Sequence, residues 1–306
     1  MQFGMIGLGK MGGNMARRLI KGGHAAVAFD RSLENVADLA KEGAEAAASL
    51  EDLAAKLAPP RTVWLMLPAG EPVEDTINSL KAILSKGDII VEGGNSYYKD
   101  SIRRENSLKP LGIGFVDAGV SSGIWGLEKG YCLMLGGERN LFDRLIPLFQ
   151  TLAPNAAGRQ AAGFMYCGPA GAGHFIKMVH NGIEYALMSA YGEGFEIVKK
   201  SPYGSIDFEG LAGLWNSGSI IQSWLLEFAE SAFRKHGDLS GIKAWVEDSG
   251  EGRWTVREAV DFAVHAPLIS GALFQRFRSR DRECFSERLL AAMRDEFGGH
   301  GFKKSE

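Results

Sequence analysis

M-Q-F-G-M-I-G-L-G-K-M-G-G-N-M-A-R-R-L-I, Met1 to Ile20, decides the fold. Residues 2 to 7 form a short apolar run leading into G-L-G-K-M-G, with glycines at Gly7, Gly9 and Gly12, and the residues that follow continue at helical period. Strand, glycine turn and helix, in that order, are the context a dinucleotide-binding turn requires. Gly7 allows the tight turn, Gly9 lets a pyrophosphate approach backbone N–H groups, and Gly12 lets the helix pack on the strand. A second apolar run, Ala25 to Phe29, ends in Asp30 about 20 residues on, where a carboxylate bonds the free ribose diol of NAD and repels a 2′-phosphate. Asp30 also precedes the helical pattern L-E-N-V-A-D-L-A, so it can equally be that helix's N-terminal residue. Arg31 leaves some use of NADP open, because a guanidinium there can stack on adenine or pair with a phosphate.

The alternation continues: a helix over about 49 to 57, a strand at Arg61 to Leu67, a helix from about Pro72, and a strand at Asp88 to Glu92. It predicts an α/β Rossmann domain with a doubly wound parallel sheet. Ligands of such sheets lie beyond the carboxyl ends of the strands, which marks L-P-A-G (Leu67 to Gly70) and E-G-G-N-S (Glu92 to Ser96). The cofactor candidates are therefore Gly7, Leu8, Gly9, Lys10, Met11 and Gly12 in the turn, with Asp30, Arg31, Leu67 and Asn95. Asn95 suits a hydrogen bond to substrate or nicotinamide, and suits equally a chain reversal beside two glycines. Further strands, Ile113 to Asp117 and Tyr131 to Leu135, run into A-G-V-S-S-G and G-G. Ser121, Ser122 and Gly123 offer hydroxyl and backbone donors to a carboxylate; an ordinary loop has the same composition.

From Pro169 onward the strand signal largely disappears, and helical patterns run over about 170 to 200, 206 to 216, 219 to 235, 255 to 264, 268 to 279 and 283 to 297. Two domains are expected, a dinucleotide-binding domain over 1–168 and an all-helical domain for substrate binding and oligomerisation over 169–306. In the first of these helices Ile176, Val179, Ile183 and Leu187 fall at helical spacing, and so do Lys177, His180, Asn181 and Glu184. The apolar row is expected to bury itself against a core. The polar row would then present an amine, an imidazole, an amide and a carboxylate along about two turns, roughly 10 Å. Near the end, Arg294 and His300 bracket D-E-F-G-G, whose glycines stop a helix; a frayed tail reads the same way.

Apolar residues make up 45% and charged residues 23% of the 306, the balance of a globular protein. A net charge of −3 excludes broad attraction to nucleic acid or membrane, so an anionic ligand must be met by a local cluster of cations. The start lacks a basic region followed by an apolar run and cleavage site, and no apolar stretch reaches membrane length, so a cytoplasmic location is expected. Cys132, Cys167 and Cys284 lack metal-ligand spacing and read as reduced, packed thiols.

The run H-F-I-K-M-V-H-N-G-I-E-Y, preceded by G-L-G-K-M-G, G-G-N-S and A-G-V-S, resembles 6-phosphogluconate dehydrogenase, and the likeness returns at G-R-W-T (Gly252 to Thr255), F-Q-R (Phe274 to Arg276) and R-D-E-F-G-G-H (Arg294 to His300). The chain is much shorter than the long form and resembles the short, NAD-preferring branch. The resemblance implies Lys177 as general base and then acid, and Glu184 as the acid that protonates the product carbon. It implies that Ser121, Ser122, Gly123, His180 and Asn181 bind the substrate carboxylate and hydroxyls, with Asn95 near the nicotinamide. Tyr185, Arg276, Arg294 and His300 would hold the phosphate, the last two reaching it from a neighbouring subunit of a homodimer or homotetramer with composite sites. Three departures stand out: Ser122 replaces a usual glycine, E-D-S-G-E-G-R-W is shortened and lacks a phosphate-binding lysine, and Asp30 replaces a residue suited to NADP.

The implied reaction is oxidation at C3 by NAD(P), loss of CO2 from the 3-keto acid, and protonation of the enediol at C1, with no metal required if an ammonium polarises the ketone. To act first as base, Lys177 must reach its neutral form near neutral pH, which burial and nearby cations favour. A rival is another β-hydroxyacid dehydrogenase, of the 3-hydroxyisobutyrate type, which has no need of Glu184, Arg294 and His300 together. A non-catalytic NAD-binding protein would need the glycine turn but not the polar row.

Overall fold

The computed structural model of the protein describes residues 1–154, 163–298, 301 and 303. Its chain forms two compact units, Met1–Asn181 and Gly182–Glu306. In the first unit, β1 (Gln2–Ile6), α1 (Lys10–Lys21), β2 (Ala25–Phe29), α2 (Leu33–Lys41), β3 (Glu45–Ala46), α3 (Leu50–Lys56), β4 (Thr62–Leu65), α4 (Glu71–Ile83) and β5 (Ile89–Glu92) alternate as the apolar spacing predicts. The order across the sheet is β3-β2-β1-β4-β5, parallel throughout, which places the reversal of winding between β1 and β4. These strands read as near-continuous apolar runs because both faces are covered. Phe3, Met5 and Trp64 point into one core, while Ile6, Val63 and Leu65 point into the other. Fully burying one such side chain contributes about 1.5–3 kcal/mol.

The sheet then continues through α5 (Tyr98–Leu108), β6 (Gly114–Ser121), α6 (Gly126–Lys129), β7 (Cys132–Gly137), α7 (Arg139–Leu152) and β8 (Phe164–Gly168). Here it departs from the expected all-parallel pattern: β7 pairs antiparallel with β6, from Val116 opposite Gly137 to Ser121 opposite Cys132. The residues between them, 122–131, hold only a short 3-10 turn (Gly123–Trp125) and one turn of helix, fewer than the dozen or so a parallel crossover needs, so the chain reverses instead. Strand β8 is not anticipated from the sequence; F-M-Y-C-G has no alternation to announce it, and it pairs parallel with β7 as a half-exposed edge. Asp30 is not the N-cap of α2 either, since Ser32 takes that place and its hydroxyl accepts from Asn35 N–H at 3.4 Å.

Helix α8 (Ala172–Lys199) carries the chain from the first unit into the second. The second unit continues with α9 (Phe208–Asn216), α10 (Trp224–His236), α11 (Glu251–Asp261), α12 (Pro267–Arg280) and α13 (Phe285–Gly298), close to the predicted spans. Asp207 and Ser223 cap α9 and α10 by accepting from Gly210 and Leu226 N–H at 3.0 and 3.2 Å. Phe195, Phe208, Trp215 and Phe233 form an aromatic cluster there, and Tyr185, Ala272 and Leu273 form a separate, mostly aliphatic one. Among the described residues, no helix is long and apolar enough to cross a membrane.

Candidate active site

A cavity of about 820 Å³ opens beyond the carboxyl ends of β1, β2, β4 and β5. Gly7, Gly9, Lys10, Met11 and Gly12 line it, as do Asp30, Arg31, Leu67 and Asn95. Gly7 has a φ of +91°, where a side chain is strained and a Cβ would strike the Met66 carbonyl; a Cβ at Gly12 would strike the Gly7 carbonyl. At Gly9 nothing lies within 4 Å of a Cβ position, so that side of the turn is open to a ligand. Leu8 turns its side chain into the core, and its N–H donates to Asp30 Oδ2 at 2.5 Å. Asp30 Oδ1 accepts from Ser32 N–H at 2.7 Å, which leaves each carboxylate oxygen a lone pair for a diol. Pro72, Asp75, Thr76 and Ser79 of α4 line it as well. Sequence reasoning missed them; polar Asp75, Thr76 and Ser79 on one side of a helix that buries Val73, Ile77 and Leu80 are the signal that was available.

On α8 the expected faces are reversed. Ile183 is 50% exposed, and Ile176 and Leu187 are exposed with it, whereas Lys177 and Asn181 are only 7% and 8% exposed. The reason lies in three glycines: a Cβ on Gly119 would stand 2.5 Å from Lys177 Cβ, one on Gly173 would stand 2.5 Å from the Asp117 carbonyl, and one on Gly136 would stand 2.7 Å from Gly173 N. Bare backbone lets the first turns of α8 lie directly on β6 and β7, and the lysine stem occupies the surface that a side chain at Gly119 would fill. Three more candidates converge there. Ser121 Oγ lies 3.3 Å from His180 Nε2, and His180 Nδ1 lies 3.2 Å from Asn181 Oδ1 and 3.4 Å from Lys177 Nζ. With its proton on Nδ1 the imidazole donates to Asn181; with the proton on Nε2 it donates to Ser121 and Nδ1 is free to accept from the lysine ammonium. The tautomer and the charge on Lys177 are thereby linked.

Glu184 is half-buried, one turn beyond His180 and Asn181 on the same helix. Next to it, Tyr185 packs face-on under the Arg276 guanidinium, 3.6 Å from the ring centroid, and its hydroxyl accepts from Ser249 N–H at 3.2 Å. Gly252 makes this possible, since a Cβ there would lie 2.5 Å from the tyrosine ring. Arg276 also donates to the Glu247 carbonyl at 2.7 Å. Gly123 and Ser122 take φ values of +55° and +117°, directing the chain into the turn after β6. Arg294 is exposed on α13, and His300 lies outside the described residues.

The profile of the NAD binding domain of 6-phosphogluconate dehydrogenase matches residues 2–163, and that of the 6-phosphogluconate dehydrogenase C-terminal domain matches residues 173–285. The chain belongs to the 6-phosphogluconate dehydrogenase family. It is 44% identical over 301 residues to the NAD(+)-dependent, decarboxylating 6-phosphogluconate dehydrogenase of Haloferax volcanii, covering 98% of each protein. Among solved structures, the 6-phosphogluconate dehydrogenase of Plasmodium falciparum superimposes with a TM-score of 0.83 at 28% identity, covering all of this chain and 67% of that one. The Mycobacterium tuberculosis 3-hydroxyisobutyrate dehydrogenase, at TM-score 0.70 and 21% identity over 89% of this chain and 90% of its own, shares the fold. Against the 6-phosphogluconate dehydrogenase pattern, Ser122 is the departure with a backbone consequence: its φ of +117° is one that glycine adopts at no cost. In the shortened E-D-S-G-E-G-R-W segment, Asp248 is instead tied to Arg253 Nε and Arg280 at 2.5 Å each.

Proposed function

We propose that this chain oxidises and decarboxylates 6-phosphogluconate to ribulose 5-phosphate and CO2 with reduction of NAD, with NADP as a weaker alternative. The observation that carries the reading is the cluster of buried Lys177 and Asn181 with half-buried His180 and Ser121, because a lysine stem seated on bare backbone holds its amine beside the imidazole at one fixed place, where it can act as a base. NAD fits the glycine-lined cavity, where it would supply the hydride acceptor. Lys177 takes the proton of the 3-hydroxyl and, as the ammonium, gives it back to the ketone oxygen as the C1 carboxylate departs as CO2, leaving the enediol. Glu184 then delivers a proton to the carbon that becomes C1 of the product while Lys177 takes the enediol O–H proton, which restores the ketone. Ser121, Ser122, Gly123, His180 and Asn181 orient the carboxylate and hydroxyls, Asn95 serves the nicotinamide side, and Tyr185 with Arg276 takes the phosphate. Residues 1–168 serve the cofactor, and 169–306 serve substrate binding and assembly.

The working form is a homo-oligomer in which Arg294 and His300 reach the phosphate of a neighbouring subunit. Exposed apolar side chains support assembly: Ile220 is fully exposed, and Trp224 and Phe228 are exposed on α10. The test is an assay of 6-phosphogluconate with NAD and with NADP, following reduced cofactor and CO2 together. Lys177→Met is expected to abolish hydride transfer with NAD binding retained; turnover near the wild-type rate would remove the assignment.

A further inference from the structure

Glu92 ends β5, Asp117 lies beside it in register on β6, and both carboxylates are fully buried. Burying one carboxylate is costly unless it is paired, and two on adjacent strands doubly so. Each is met from a different direction. Glu92 Oε2 accepts from Arg104 of α5 at 3.0 Å, and its Oε1 accepts from Gly94 N–H at 2.9 Å. Asp117 Oδ1 and Oδ2 accept from Gly171 and His174 N–H at 2.7 and 2.8 Å, so it caps the start of α8. His174 stands between them, with Nδ1 2.7 Å from Ser101 Oγ, 3.6 Å from Glu92 Oε2 and 4.0 Å from Asp117 Oδ2. Its Nε2 is buried with no hydrogen-bond partner, a cost that a purely stabilising network would have little reason to keep.

The two ends of this network lead to the two halves of the chemistry. Gly93 and Gly94 line the cofactor cavity and precede Asn95, while the turn that Asp117 caps leads directly to Lys177. We propose that Glu92, His174 and Asp117 are positioning residues that hold the Gly93–Asn95 loop and the start of α8 as one body, so that the base and the cofactor wall keep a fixed separation during oxidation of the substrate. None of the three lines the cavity: Glu92 acts through the Gly94 backbone that does, and Asp117 and His174 through the first turn of α8 that leads to Lys177. The proposal rests on the oxidation assigned above.

Asp117→Asn keeps the shape but turns an N–H toward one of the two N–H groups at the helix start, so that turn must move. A displacement of that order is expected to lower kcat about 10- to 100-fold. The KM for NAD should stay within about two-fold, because the cavity walls keep their own anchors. With substrate deuterated at C3, the isotope effect on kcat should rise above the wild-type value, since hydride transfer becomes the slow step. Glu92→Gln keeps an acceptor for Gly94 and should instead raise the KM for NAD along with a smaller fall in kcat. Should Asp117→Asn not fold, Ser101→Ala removes only the hydroxyl beside His174 and is expected to give a several-fold fall in kcat with the same rise in isotope effect. Folded variants with wild-type kcat and isotope effect overturn the proposal, as does a loss of rate that only tracks the unfolded fraction in a thermal melt. Wild-type enzyme inactive on 6-phosphogluconate would instead defeat the assigned function.

Discussion

Gly119→Ala places one methyl group where a Cβ would lie 2.5 Å from Lys177 Cβ and 2.8 Å from the Gly173 carbonyl oxygen. Saturated carbons settle about 3.5–4.0 Å apart, so the first of these contacts must open by about 1 Å. Neither neighbour is the mobile end of a side chain. One is the first carbon of the lysine stem and the other is helix backbone, so relief requires α8 to lift from β6 or the strand to bow. Overpacking of this kind costs about 1–3 kcal/mol, which for a chain of this size lowers Tm by roughly 2–12 °C. The rate should suffer more: a shift of about 1 Å at a catalytic group lowers kcat on the order of 100-fold. Gly119 does not line the cofactor cavity, so the Kd for NAD should remain within about two-fold. The assay pairs steady-state kcat on 6-phosphogluconate with a thermal melt and an NAD titration. A folded Gly119→Ala enzyme with kcat within about two-fold of wild type would show that the lysine is not held by this contact.

Asp30→Asn or Asp30→Ser should move cofactor preference toward NADP by about 1–3 kcal/mol in the ratio of kcat/KM values, since a carboxylate no longer opposes the 2′-phosphate; strong NADP preference in the wild type would make Arg31 the reader instead. Co-expression of inactive Lys177→Met and inactive Arg294→Ala chains should restore part of the activity if sites draw on two subunits, and mixed oligomers without activity would assign the tail to its own subunit. Hydrogen bonding from Arg253, then Arg280, holds the Asp248 carboxyl down at about 2. A lowered folded value means its stabilisation is present above the unfolded value of about 3.9 and lost as pH falls toward 2. The Tm difference between wild type and Asp248→Asn should therefore be constant above about pH 5, shrink to a small remainder near pH 2 and vanish below it; an undiminished difference at pH 2 would mean the asparagine fails for reasons of packing.

The β1–turn–α1 unit is legible from residues 1 to 20 because everything that specifies it is local: a short apolar run gives way to period 3.6, and glycines stand at the crowded points between. The same holds for the helices of the second half, whose predicted spans lie within a few residues of α9 to α13. The polar row of α8 is legible as residues but not as a direction. Periodicity reports that a helix has two faces, while the face that turns inward depends on what the opposing surface offers. Here three glycines from β6, β7 and α8 itself bring the polar side onto the sheet and leave Ile176, Ile183 and Leu187 outside. The antiparallel β7 and the edge strand β8 escaped for a similar reason, because pairing direction is set by connection length and by partners far along the chain. Glu92, Asp117 and His174 carry no pattern of their own and read in sequence as three scattered titratable residues. Only the tertiary structure makes them one buried group, since a charge can be kept from water only by partners that the fold brings to it.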